Sequence, residues 1–215
     1  MQDIEFYYDF GSPKSYFVHK LLPGIAKKHG MRVVWKPLLL GGVFKLTNNQ
    51  SPMETFKDVK GKLEYDAHET ARFVTHHQLP YQLNPHFPVM TIGVMRGAIY
   101  AQDKEFDALY RDTVFNAIWE DQKKMDDPKV IMNVLEAAGL PAKEIISAIG
   151  AEPASHSKAP TFASIRILCG SSRKSLVRVI PFTHINLKQI VNKLIVQPLG
   201  TSGSSLVPRK REARH

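Results

Sequence analysis

A strand, a helix-starting turn and a second strand fit within the first 38 residues, and this limits the folds open to the chain. Residues 3–9, DIEFYYD, alternate in part and are rich in aromatics, which predicts a buried strand. The turn Phe10-Gly11-Ser12-Pro13 follows. Ser12 is suited to cap a helix, and Pro13 to its first position, where a missing N–H costs nothing. Apolar Tyr16, Phe17, Leu21, Leu22, Ile25 and Ala26 predict a helix to about Lys28, with Gly30 as its stop. Met31–Leu38, MRVVWKPL, predicts the second strand. A strand–helix–strand unit this short is parallel, and its crossover is right-handed.

The next hundred residues are expected to be helical. Glu54–His77, Thr91–Gln102, Lys104–Gln122, Pro128–Gly139 and Ala142–Ile149 show helical spacing, punctuated at Leu79-Pro80, Asn84-Pro85 and Asp126-Asp127-Pro128. Strand patterns return at Thr161–Leu168 and Leu176–Phe182, followed by a short amphipathic helix over Asn186–Val196. This order predicts an α/β, thioredoxin-like fold split by an all-helical insertion. Residues 1–44 and 156–197 would form the split domain, and 45–155 the insertion. Residues 198–215 contain Gly-Thr-Ser-Gly-Ser-Ser and Leu206-Val207-Pro208-Arg209, which reads as an expression-vector linker and tail.

The formal charge of +9 invites a nucleic-acid reading, but it is unevenly placed. Residues 173–215 hold nine basic side chains and one acid, Glu212, whereas residues 1–172 hold 20 basic and 19 acidic ones. A phosphate footprint decorates a folded face, and the main body is near neutral. No nucleic-acid partner is expected. Pro153 to Arg211 contains no Asp or Glu, a compositional break within the chain. A single cysteine, Cys169, excludes an internal disulfide. The N-terminus shows neither the basic nor the apolar part of a signal peptide, and no run approaches the ~20 apolar residues of a membrane span. A soluble cytoplasmic protein is expected.

Chemistry is expected at Asp9-Phe10-Gly11-Ser12-Pro13, where a strand ends and a helix begins. Helix N-termini present free N–H groups and partial positive charge, so a hydroxyl there can donate to a thiolate or carboxylate. Ser12 could equally serve only as a helix cap. Ser12 and Ser15 stand where redox members of such folds carry a Cys-x-x-Cys pair, so dithiol chemistry is excluded.

Tyr8-Asp9-Phe10-Gly11-Ser12-Pro13-Lys14-Ser15-Tyr16 resembles the N-terminal motif of the 2-hydroxychromene-2-carboxylate isomerases, relatives of kappa-class glutathione transferases. The resemblance continues through Trp35-Lys36-Pro37-Leu38, Leu40-Gly41-Gly42-Val43-Phe44-Lys45 and Thr47-Asn48-Asn49-Gln50-Ser51-Pro52. It extends to Asn84-Pro85-His86-Phe87-Pro88 and Met95-Arg96-Gly97-Ala98, covering residues 3–150. It implies a DsbA or kappa-transferase type of thioredoxin fold and a homodimer. It also implies glutathione as cofactor and a small aromatic 2-oxo acid as substrate. Ser12 would hold the glutathione sulfur as a thiolate, with Lys36 and Asn49 beside the cleft. On their own residues, Lys36 could be a solvated strand-end cation and Asn49 a turn former. Lys158-Ala159-Pro160-Thr161-Phe162 resembles the family's Ala-Pro-Thr-Phe, which implies a cis Pro160 and an Ala159 backbone that pairs with glutathione.

The match frays beyond that point. The family's Asp-Arg pair at the start of the last helix is replaced by Ile185 and Asn186, within the acid-free stretch. Residues from about 153 onward are therefore read as departing from the native frame, which intact mass and gene sequencing test. The implied reaction interconverts 2-hydroxychromene-2-carboxylate and trans-o-hydroxybenzylidenepyruvate. Two alternatives stand: a kappa-type glutathione transferase, and a non-catalytic thioredoxin-like binding module.

Other residues read as bystanders. His68, His76, His77 and His86 lack metal-site spacing, and His76 and His77 are expected to point apart. Glu69 and Arg72, three apart, predict a local ion pair. Cys169 is expected in a hairpin turn without a nearby base. Gly41-Gly42 lacks the sequence context of a phosphate loop.

Overall fold

The computed structural model describes residues 3–150. β1 (Asp3–Tyr8) and β2 (Arg32–Pro37) pair in parallel, with Tyr7 opposite Lys36 and Tyr8 opposite Pro37. The crossover between them is α1 (Pro13–Lys28). Its ends form as the residue types dictate. Ser12 Oγ accepts the Ser15 N–H at 3.3 Å and Pro13 opens the helix. At the other end Gly30 adopts φ +64°, the left-handed conformation that turns the chain back toward the sheet.

The remaining described elements are helices. They are α2 (Leu40–Leu46), α3 (Pro52–Thr55), α4 (Lys62–His77), α5 (Ile92–Ala101), α6 (Asp107–Trp119), α7 (Pro128–Ala137) and α8 (Ala142–Gly150). Two features depart from the sequence expectation. The helix expected over 54–77 is two helices, because Gly61 at φ +74° breaks the run immediately before α4. α2 was not expected, and it straddles the proposed boundary at residue 44. The strands at 161–168 and 176–182, the helix at 186–196 and the tail at 198–215 lie outside the described residues.

The core begins on one face of the strand pair. Alternation places Phe6, Tyr8 and Trp35 on the same face, and their rings meet edge-on, Phe6 with Trp35 at 5.6 Å and Tyr8 with Trp35 at 6.1 Å between centroids. Phe10 and Phe115 continue the contact at 4.8 Å, carrying it into α6. Tyr8, Phe10, Tyr16, Tyr110, Phe115 and Trp119 are all buried in a single cluster that also takes in side chains of α5, α7 and α8. Each such burial contributes about 2 kcal/mol. The helical segment and the strand–helix–strand unit therefore share one core, and the loop between β1 and α1 is clamped at their junction.

Candidate active site

Three helix N-termini are tied to the loop after β1, and Asp9 is the tie. It is 5% exposed. Its Oδ1 accepts the Gly11 N–H at 2.9 Å and the Thr91 hydroxyl at 2.7 Å, while Oδ2 accepts the Leu40 N–H at 2.7 Å. Gly11 leads into α1, Leu40 opens α2, and Thr91 caps α5. Neither Leu39 nor Thr91 caps its own helix through its side chain. The Asp9 carboxylate supplies the acceptor for the first N–H of α2, and at α5 it binds the Thr91 hydroxyl. The starts of α1, α2 and α5 are thus held together around residues 9–12, with the Asp9 carboxylate taking up the N–H groups of Gly11 and Leu40. The fit is close: a Cβ on Gly11 would lie 3.2 Å from Thr91 Cγ2. From the helical side, Trp119 Nε1 donates to the Phe10 carbonyl at 2.8 Å.

Ser12 sits in this loop with its N–H donating to the Asp9 carbonyl at 3.1 Å. Its Oγ uses a lone pair to accept the Ser15 N–H, which leaves the hydroxyl hydrogen to donate elsewhere. The two readings of Ser12, helix cap and anion donor, are compatible in one geometry.

Lys36 lies one residue before the end of β2 and, by alternation, on the face opposite Trp35. Asn49 lies beyond α2 and is exposed. Its N–H donates to the Phe44 carbonyl at 2.8 Å and its Oδ1 accepts the Gln50 N–H at 2.8 Å. In this conformation the Asn49 side chain serves its own turn. Among the described residues no hydrogen bond joins Lys36 or Asn49 to Ser12. Ala159, Pro160, Cys169, Ile185 and Asn186 lie outside the described residues. The cis X-Pro bond in the described region is Phe87-Pro88.

Two side chains near Ser12 escape a motif-based reading. Lys14, second residue of α1, donates from Nζ to Thr70 Oγ1 of α4 at 3.2 Å and lies 5.7 Å over the Phe17 ring. Burial pulls its ammonium below the ordinary lysine range, and Lys62 adds to this, against the opposing pull of Asp66 and Glu69. Tyr16 donates to Glu120 Oε1 at 3.0 Å, and burial followed by that bond raises its phenol well above the usual value. Asp9 itself carried a sequence signal: an acid between an apolar strand and Gly-Ser-Pro fits a side-chain-capped turn.

Glu69 and Arg72 form the expected ion pair. His76 and His77 do not point apart, since their rings meet edge-on at 4.7 Å between centroids. Among the described residues no group of three or more His, Cys, Asp or Glu side chains could hold a metal ion, and no helix is long and apolar enough to cross a membrane.

A parallel strand–helix–strand unit, with a polar turn at the helix N-terminus and a helical segment packed on it, matches the N-terminal part of a thioredoxin-type fold. The chain belongs to the DSBA-like thioredoxin domain family, whose model matches residues 3–158. It is 30% identical over 118 residues to a 2-hydroxychromene-2-carboxylate isomerase from Pseudomonas putida, covering 54% of this chain and 55% of that protein. A second isomerase of that name, from Pseudomonas sp. (strain C18), is 28% identical over 120 residues, covering 55% of this chain and 54% of that protein. The match thus spans about half the length of these curated relatives. A solved 2-hydroxychromene-2-carboxylate isomerase structure superposes with a TM-score of 0.60 at 23% identity, covering 70% of this chain and 72% of that one. That likeness supports the fold.

Proposed function

We propose that this chain is a glutathione-dependent isomerase interconverting 2-hydroxychromene-2-carboxylate and trans-o-hydroxybenzylidenepyruvate. The observation that carries the reading is the Ser12 hydroxyl, with a hydrogen to donate, in a loop bound to three helix N-termini. The isomerase relatives support it. The donor set fits glutathione: a hydroxyl at the start of α1, the positive end of the helix dipole, favours a thiolate. When bound, glutathione supplies a thiol that adds reversibly to a conjugated double bond and lets it rotate.

The chain's own residues hold and orient. Ser12 donates to the sulfur and lowers the cost of its negative charge. Asp9, buried and fully engaged, fixes the backbone of that loop against α2 and α5, so that the donor is preorganised. Lys36, at the end of β2, is the proposed cation for a ligand carboxylate. Asn49 holds the Gln50 N–H through Oδ1 and keeps its Nδ2 hydrogens for a ligand. Ala159 and Pro160 are the proposed backbone partners of the glutathione peptide. The reading takes the protein as cytoplasmic and homodimeric, following the family resemblance, and sedimentation of the full chain reports the dimer.

The test is a spectral assay of the chromene carboxylate with and without glutathione, on wild type and Ser12→Ala. Turnover that needs glutathione and falls at least about 100-fold in Ser12→Ala is expected. Turnover of a chromogenic aryl halide with glutathione, without isomerisation, would instead indicate a transferase. Activity unaffected by Ser12→Ala would remove Ser12 from the mechanism.

A further inference from the structure

Lys14 is a half-buried cation whose neighbouring acids are already engaged. Asp66, one turn before Thr70 on α4, pairs with Lys62 at 3.0 Å. Glu69, adjacent to Thr70, pairs with Arg72. Among the described residues Lys14 itself makes no ion pair, and its Nζ is held by the neutral Thr70 hydroxyl. It also stands in the first turn of α1, where the helix dipole disfavours positive charge. Desolvation, the dipole and Lys62 oppose an ammonium here, Asp66 and Glu69 favour it, and an incoming anion would give Lys14 an ion-pair partner of its own. Of its three donor hydrogens, the bond to Thr70 uses one. The ring of Phe17 at 5.7 Å is a weak partner by comparison.

We propose that Lys14, steadied by Thr70, is a carboxylate-binding residue on the α4 side of the Ser12 loop. This rests on the functional reading above only for the source of the carboxylate, which is either glutathione or the aromatic 2-oxo acid. Ser12 and Lys14, two residues apart at one helix start, would then hold separate anionic groups: the sulfur and a carboxylate. Thr70 acts through Lys14 as a positioning residue.

The experiment is calorimetric titration of the full chain with glutathione and, separately, with 2-hydroxychromene-2-carboxylate. Wild type, Lys14→Met, Lys14→Arg and Thr70→Val are compared. Lys14→Met is expected to weaken one of the two ligands about tenfold, and Lys14→Arg to retain most of the affinity. Thr70→Val should weaken binding a few-fold, and the wild-type advantage should shrink as salt rises. Loss confined to glutathione identifies its carboxylate as the occupant, and loss confined to the chromene identifies the substrate's. Should Lys14→Met fail to fold, the primary carboxamide of each ligand, titrated into wild type, is expected to show the same loss. Equal affinities of wild type and Lys14→Met for both ligands overturn the proposal, as does binding of neither ligand by wild type. Lys14-dependent binding without isomerase turnover would overturn the proposed function and leave this inference standing.

Discussion

Asp9 Oδ1 accepts the Thr91 hydroxyl at 2.7 Å, joining the end of β1 to the start of α5 across 82 positions of sequence. The same carboxyl group also holds Gly11 and Leu40. Asp9→Ala leaves three donors without an acceptor in a buried site, so it is expected to destabilise by about 3 kcal/mol. Thr91→Val removes one of the bonds and should cost about 1 kcal/mol. Denaturant unfolding of both variants checks the order. A smaller loss for Asp9→Ala than for Thr91→Val would show that the other two bonds contribute nothing.

Gly97 of α5 lies against Tyr110 of α6, whose hydroxyl donates to the Val94 carbonyl at 2.8 Å. A Cβ at residue 97 would overlap that hydroxyl and lie 2.8 Å from Cζ. Tyr110 is completely buried and cannot swing aside without moving α6. Gly97→Ala is therefore expected to destabilise by about 2–4 kcal/mol, and Tyr110→Phe in the same chain should recover part of this. Gly24→Ala is the control. Its Cβ would meet nothing within 4 Å, so the loss of backbone freedom in the unfolded chain should raise stability by about 0.5–1 kcal/mol. Thermal melts of the three variants give the comparison.

Much of the site's frame was legible in local sequence because its causes are local. Ser12 and Pro13 start α1, Gly30 ends it, and the aromatic alternation of β1 needs only its own residues. α2 was not legible, since Gly41 and Gly42 weaken its propensity and the acceptor for its first N–H is Asp9, 31 positions away. The break before α4 was missed because the helical spacing continues across it, while Gly61 takes a left-handed conformation. Lys14 carries no signal in the sequence beyond its place in the motif at 8–16. What sets it apart is Thr70, 56 positions distant, and the pairing of Asp66 and Glu69 with other cations.

Asp112 couples stability to acid pH through the bond it accepts from His19. The imidazole Nε2 lies 2.8 Å from Asp112 Oδ1, and the ring, 6% exposed, stacks on Phe115. The bond from His19 holds the Asp112 carboxyl below the ordinary aspartate value, against the opposing effect of burial. A depressed folded-state pKa stabilises above the unfolded value of about 3.9 and loses that contribution as pH falls through the folded value. Asp112→Ala should therefore cost about 1 kcal/mol near neutrality. That gap should narrow below about pH 4. Chemical denaturation at several pH values tests this, and a gap that widens in acid would contradict it.

Ser12 combines a helix cap with a proposed anion donor, and substitution can separate the two. Aspartate caps as well as serine but, ionised, offers no hydrogen and repels a thiolate. Ser12→Asp is expected to melt within a few degrees of wild type while losing glutathione-dependent turnover. Ser12→Ala should lose turnover and also about 1 kcal/mol of stability. Paired melts and activity assays show whether stability and turnover part company.

We propose that the Ser12 hydroxyl stabilises a thiolate in the loop that Asp9 ties to α2 and α5. The most direct test is the ultraviolet thiolate absorption of protein-bound glutathione, titrated against pH in wild type and Ser12→Ala. A wild-type midpoint below the ~8.5 of a free thiol is expected, shifted back toward that value in Ser12→Ala. Identical midpoints in the two proteins, each at the free-thiol value, would contradict it.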